Sequence, residues 1–216
     1  MPDYAYINTR IRSMEADLLS ENQLKELSAF RELSAAIAYL KNSAYGVYLP
    51  ATADESVLYR TDTALRTSLS DSILKIVRIL KGCDGELIQM LFGRWDVFNI
   101  KTLLRGKLNN IPSQEVLSAT VPAGNLPEGI LQERYKQPSV QTMLSMLLTI
   151  GFSYVAPLLK IKYLHEGDLF KGEVELEKTF FAYILRRLKN SGKNGLSNVM
   201  VEDTTRMLID RLFFYP

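Results

Sequence analysis

Apolar residues recur every three or four positions along almost the whole chain, and no stretch combines period-two alternation with β-branched enrichment. An α-helix has 3.6 residues per turn and buries one stripe, so this pattern restricts the chain to an all-α fold. Tyr4, Ile7, Ile11, Met14 and Leu18 form a first stripe, with Asp3 placed to cap its start. Ser20 and Gln23 stand three apart, the spacing of a capping box, and open a short second helix. A third helix spans about 34–42, with Leu33, Ile37 and Leu40 inward, and Gly46 and Pro50 punctuate the loop after it. Beyond Asp54 a long helix carries Leu58, Leu65, Leu69, Ile73, Ile76 and Leu80, and Gly82 is placed to terminate it. Asp84 opens the next helix. Its stripe is Leu87, Leu91, Trp95 and Phe98, and it reaches Arg105 before Gly106.

Residues 109–138 break the pattern. Pro112, Pro122, Gly124, Pro127, Gly129 and Pro138 fall here, which reads as a joint holding one short helix from Pro127 to Tyr135. The expected organisation is therefore two similar helical bundles, 1–110 and, with the linker, 111–216. In the second half, 140–150 forms a buried helix and 152–165 another. Glu173 to Lys189 is an amphipath with Leu176, Phe180, Tyr183, Ile184 and Leu188 inward. Residues 190–195 form a loop, and Ser197 caps a last helix. The run 137–159 carries no charge and exceeds the roughly 20 residues of a membrane span. Polar Gln141, Thr142, Ser145, Thr149, Ser153 and Tyr154, with Gly151 and Pro157, favour a buried helix and a packed neighbour instead.

The chemistry the residues exclude is broad. The one cysteine, Cys83, permits no internal disulfide, and it reads as a small buried thiol at a helix junction. The one histidine, His165, leaves a triad or a zinc site under-supplied and suits a helix C-terminus. No phosphate-binding Gly-x-x-x-x-Gly-Lys-Ser/Thr occurs, and Ser191-Gly192-Lys193-Asn194-Gly195 lacks its spacing and hydroxyl. Glu173, Glu175 and Glu177 complement the positive start of a helix, as Arg186, Arg187 and Lys189 complement its end. No catalytic, cofactor-binding or metal-binding residue is expected. A net charge of +2 gives no bulk attraction to nucleic acid. The apolar core of a signal peptide is lacking in MPDYAYINTRIRS, so the expected location is cytoplasmic. One surface stands out: Arg94, Lys101 and Arg105, spaced 7 and 4 apart, form a cationic stripe. It reads as a solvated face or as a contact surface for an acidic partner, with nucleic acid a weaker third reading because no aromatic residues interleave on that face.

Two strings carry a resemblance. They are Asp3-Tyr4-Ala5-Tyr6-Ile7-Asn8-Thr9-Arg10-Ile11-Arg12 and Asp96-Val97-Phe98-Asn99-Ile100-Lys101-Thr102-Leu103-Leu104-Arg105-Gly106-Lys107. In this order and separation, with Ala44-Tyr45-Gly46 after the third helix, the chain resembles the C subunit of archaeal and bacterial V/A-type ATPases. The eukaryotic counterpart is the d subunit of the vacuolar proton pump. The resemblance covers the first 110 residues well and continues more thinly beyond. It implies pseudo-symmetric helical bundles forming a funnel on the membrane proteolipid ring, which receives the central stalk and binds no nucleotide. Contact with the membrane would come only through the complex, at its cytoplasmic face. The family has three bundles, and two are expected here. Without the third, one chain could not close a socket around the stalk. A faint repeat of Asp96-Val97-Phe98-Asn99-Ile100-Lys101-Thr102 at Asp203-Thr204-Thr205-Arg206-Met207-Leu208-Ile209 accords with repeated bundles. A generic α-helical adaptor, stacked as a solenoid, is the competing reading. A helical enzyme would need a pocket of perturbed titratable groups.

Overall fold

A computed structural model of the chain describes residues 4–49, 57–80, 82–160 and 169–191. Among these residues the secondary structure is helical, without strands. The α-helices are α1 (Tyr4–Ala16), α2 (Glu21–Ala29), α3 (Leu33–Lys41), α4 (Val57–Ile79), α5 (Gly82–Leu108), α6 (Ser113–Ser118), α7 (Glu128–Tyr135), α8 (Val140–Thr149) and α9 (Leu169–Ser191). Short 3₁₀ segments cover Ala44–Val47 and Ser153–Lys160. The expectations placed on Asp3, Pro50, the Cys83 side chain, His165, Ser197 and Asp203 lie outside what is described. Contacts divide the chain into two units, Met1–Leu80 and Lys81–Pro216.

In the first unit, Ser20 and Gln23 form the expected capping box: the Ser20 side chain accepts from the Gln23 N–H, and the Gln23 side chain accepts from the Ser20 N–H. Ile37 and Leu40 of α3 are buried as expected, whereas Leu33 and Leu18 are exposed. The core is small. Leu40, Leu49 and Ala64 pack together with Leu19, Leu27 and Tyr48 against them. On α4 the buried positions are Thr61, Ala64, Ser68, Ser70 and Ile73, while Leu58, Leu65 and Leu69 of the expected stripe are exposed. Ala64 and Ser68 thus lie one residue, about 100° of helix, from the expected stripe, whereas Ile73 is buried as expected. Small side chains let the 3₁₀ turn approach α4 closely, and Tyr48 Oη donates to Asp71 Oδ2 at 3.1 Å. The Thr61 hydroxyl donates to the Val57 carbonyl at 2.7 Å, so its burial strands no donor.

The second unit holds the larger core. Ile100, Leu103 and Leu104 of α5, Leu131 of α7, Met143 and Leu147 of α8, Leu158, and Leu176, Ile184 and Leu188 of α9 form one cluster. Truncating one of these leucines to alanine should cost about 2–5 kcal/mol. Gly82 does not follow a helix that it ends; it begins α5, which runs through Gly106 to Leu108. The sequence pattern puts this helix in a first bundle ending at 110, but its buried face packs with α6–α9. Nor is 109–138 a mere joint. It contributes Val116, Val121, Ala123, Leu126, Leu131 and Tyr135 to the buried interior. The proline- and glycine-rich backbone can be buried because side chains of α5 satisfy its donors and acceptors.

Two helix ends are set by αL residues. Asn110 has φ 54, and Ile111 N–H donates to Gly106 O at 2.9 Å while Asn110 N–H donates to Lys107 O at 3.4 Å. Gly151 has φ 100, with Phe152 N–H to Leu147 O at 3.2 Å and Gly151 N–H to Leu148 O at 3.1 Å. Both are Schellman motifs, which consume the last carbonyls of α5 and α8 and reverse the chain sharply. No helix among the described residues is long and apolar enough to cross a membrane.

Candidate functional site

The string 96–107 lies on α5, and nearly every residue in it fastens α5 to another part of the second unit. Asp96 is completely buried, yet its carboxylate accepts from Asn125 N–H at 2.9 Å, Asn125 Nδ2 at 3.0 Å and Leu126 N–H at 2.8 Å. One turn later, completely buried Asn99 makes a two-way clasp with Val121. Its Nδ2 donates to the Val121 carbonyl at 2.7 Å and its Oδ1 accepts the Val121 N–H at 2.8 Å. Two polar side chains, i and i+3 on one helical face, thereby clamp the irregular segment 121–126. Burial pushes the Asp96 carboxyl above its ordinary pKa, and the three N–H bonds pull it back. The clamp is tight: a Cβ on Gly124 would lie 2.2 Å from Asp96 Oδ1.

The C-terminal end of the string ties α5 to α6 and α7. A Cβ on Gly106 would lie 2.4 Å from Val116 Cγ2 and 3.0 Å from the Tyr135 hydroxyl, so this glycine permits the close approach. Lys107 Nζ donates to the Tyr135 carbonyl at 2.6 Å, capping the last turn of α7, and sits 4.9 Å from the Tyr135 ring centroid. The Tyr135 hydroxyl reaches back to donate to the Ile111 carbonyl. Burial raises the pKa of that phenol and keeps it a donor.

The three cations of the expected stripe have separate fates. Lys101 is ion-paired with Glu177 of α9. Arg105 makes a two-pronged pair with Glu173, Nε to Oε1 at 2.6 Å and Nη2 to Oε2 at 2.7 Å. The hydrogen bond to Glu173 raises the Arg105 pKa, against a smaller opposing effect of burial. Arg94 lies elsewhere, 5.7 Å from the ring centroid of Trp95. The structure therefore brings Lys101 and Arg105 together as rungs between antiparallel α5 and α9. Sequence reasoning takes Glu173 and Glu177 only as helix-dipole partners. The signal it passes over is the matched spacing: 101 and 105 on one helix, 173 and 177 on the other, each four apart. The other apolar stripe residue in the string, Phe98, is exposed and meets Trp95 edge-on at 5.9 Å. The buried face of α5 is Val97, Ile100, Leu103 and Leu104 instead, beside Asp96 and Asn99, which face the clamped segment.

Next to the clamp lies an open cleft of about 220 Å³ between α5, the 150–154 turn and α9. Gly93 and Asp96 form one wall and Phe180 and Tyr183 the other, with Phe152 and Tyr154 at the turn. The Tyr154 ring stacks edge-on against Phe152 (5.6 Å) and Phe180 (5.2 Å) and lies tilted on Tyr183 (5.6 Å). Thr179 Oγ1 donates to the Tyr154 carbonyl at 2.7 Å, holding the turn to α9. The Tyr154 hydroxyl is buried and has no hydrogen-bond partner. Burial and the neighbouring Asp96 charge raise its pKa far above the ordinary range, so it stays protonated. Its one sequence signal is a polar residue inside the uncharged run. Among the described residues no cluster of histidine, cysteine and acids could hold a metal ion.

This chain is similar to known proteins over nearly its full length. A profile of the ATP synthase (C/AC39) subunit family matches residues 7–212. The C subunit of the A-type ATP synthase of Pyrococcus horikoshii is 31% identical over 208 residues, covering 96% of this chain and 53% of that protein. The corresponding protein of Methanocaldococcus jannaschii is 26% identical over 191 residues, covering 88% of this chain and 48% of that protein. The C subunit of the V-type ATP synthase of Deinococcus radiodurans is 27% identical over 191 residues, covering 85% and 53%. The chain spans about half the length of the curated relatives it matches. With a family profile spanning both units and identity near one third across nearly all of its length, the chain belongs to the ATP synthase (C/AC39) subunit family.

Proposed function

We propose that the chain is a non-catalytic part of a rotary A/V-type ATP synthase, joining the central stalk to the membrane proteolipid ring. It would thereby couple ATP hydrolysis or synthesis to proton or sodium transport, as a peripheral component at the cytoplasmic face. The observation that carries this reading is the 96–107 segment. It is one of the two strings that carry the family resemblance, and it is also the mechanical hub of the second unit. Buried clamps, ion pairs and a close-packed core bind α5 to α6, α7 and α9. A part that transmits torque must resist deformation, and interiors packed to crystal-like density do so. Arg94 is exposed and shares its part of α5 with exposed Phe98 and half-buried Trp95, a cationic and aromatic surface suited to an acidic partner. Lys101 and Arg105 are turned toward α9 instead. The test is affinity purification of the tagged chain from its native organism. Co-recovery of head, stalk and proteolipid subunits is expected; recovery of unrelated proteins in their place would refute the proposal.

A further inference from the structure

We propose that the exposed leucine ridge of α4 pairs, antiparallel, with the same ridge of a second copy of this chain. The ridge is the stripe that the core of the first unit leaves outside. That core takes Thr61, Ala64 and Ser68, while Leu58 is 65% exposed and Leu65 and Leu69 are each 38% exposed. Leu58, Asp62, Leu65, Leu69, Ser72 and Ile76 follow one another at alternating steps of four and three. This is the a/d repeat of a helix that seats against another helix. The order of the stripe selects the occupant. It is mirrored about the level of Thr67: Leu65 and Leu69 stand two residues away, Asp62 and Ser72 five, Leu58 and Ile76 nine. Laid antiparallel on itself, the ridge therefore sets Leu65 of one copy against Leu69 of the other and Leu58 against Ile76. The one charged member, Asp62, meets the one hydroxyl, Ser72. An unrelated apolar helix would need the leucines but not the mirrored order. A two-fold contact needs both, because the patch must complement itself. Asp62 can enter the seam because its charge is matched on its own helix, where Arg66 Nε lies 2.7 Å from its Oδ2. One helix against one helix falls below the roughly 1,200 Å² of a stable interface, so the dimer is weak and reversible.

The test is sedimentation equilibrium of the full chain over a range of concentrations, as wild type, Leu65→Gln and Ser72→Lys. The wild type should show a monomer–dimer equilibrium. Leu65→Gln should raise the dimer dissociation constant more than about tenfold, since the two-fold axis repeats the loss, while the helical circular dichroism stays unchanged. Ser72→Lys sets an ammonium against Asp62 of the other copy on both sides of the axis. It should tighten the dimer about three- to tenfold at low salt and lose that gain at high salt. Within one helix, position 72 lies about 15 Å along the axis from Asp62, so the gain requires the second copy. Adding Asp62→Ala to Ser72→Lys should abolish it. A wild type that stays monomeric at every concentration reached would overturn the proposal. So would a dimer that Leu65→Gln leaves intact, or one that Ser72→Lys weakens or leaves unchanged at low salt.

Discussion

Replacing Asp96 with alanine should destabilise the second unit more than any surface change, although the residue is a buried acid. The carboxylate satisfies the backbone N–H groups of Asn125 and Leu126 and the side-chain amide of Asn125. Asn125 is an exposed residue, so its amide can turn to water. The Leu126 side chain is buried and its N–H bond to Asp96 is buried with it. Stranding two backbone donors costs about 1–3 kcal/mol each. Part is regained because the buried carboxylate itself is no longer desolvated. The net loss should be about 2–4 kcal/mol. Asp96→Asn keeps one acceptor and should lose about half of that. Trp95, the single tryptophan, is the adjacent residue, so its fluorescence reports this unit during urea unfolding. With a urea slope of about 1–3 kcal/mol/M, the alanine variant's midpoint should fall by about 1–2 M. A midpoint within about 0.2 M of wild type, at equal slope, would show that the clamp does not hold the 121–126 segment.

Other expectations follow from the same contacts. Because burial raises the Asp96 pKa, the folded state binds more protons than the unfolded one between the ordinary carboxylate value and the raised value. Stability from this group therefore rises as pH falls through that window; wild type should gain on Asp96→Asn as pH is lowered toward the ordinary carboxylate range, and a gap moving the other way refutes the sign. Gly106→Ala should lower the melting temperature, since the collision with Val116 outweighs the roughly 1 kcal/mol that alanine normally adds inside a helix; adding Val116→Ala should restore most of the loss. Arg105→Glu should cost about 1 kcal/mol, a figure discounted for the exposed Arg105 side chain, and Arg105→Glu with Glu173→Arg should recover it. If that swap restores stability but not assembly with the complex, Arg105 also meets a partner directly. Leu65→Gln on the exposed face of α4 should shift stability by less than about 0.5 kcal/mol, measured by thermal melting.

Local chemistry makes much of the architecture legible in the amino-acid sequence itself. The 3.6-residue period locates most of the helices, the Ser20–Gln23 box places one start, and the inward set Leu176, Phe180, Ile184 and Leu188 of α9 is buried as expected. These features depend on residues within one or two turns of each other, so the sequence carries them directly. The facing of α4 and α5 is different. Leu58, Leu65 and Leu69 outrank Thr61, Ala64 and Ser68 in hydrophobicity, yet the small residues are buried because the neighbouring turn needs close approach. Asp96 and Asn99 look like surface residues, and become core only because the 121–126 backbone, more than twenty residues away, requires their hydrogen bonds. Lys101 and Arg105 read as a free stripe until α9 lies antiparallel beside them. Periodicity fixes what a segment can become; which face it buries, and which charges it neutralises, is set by the partner that tertiary packing brings against it, because desolvation and hydrogen-bond satisfaction are properties of the contact and not of the segment.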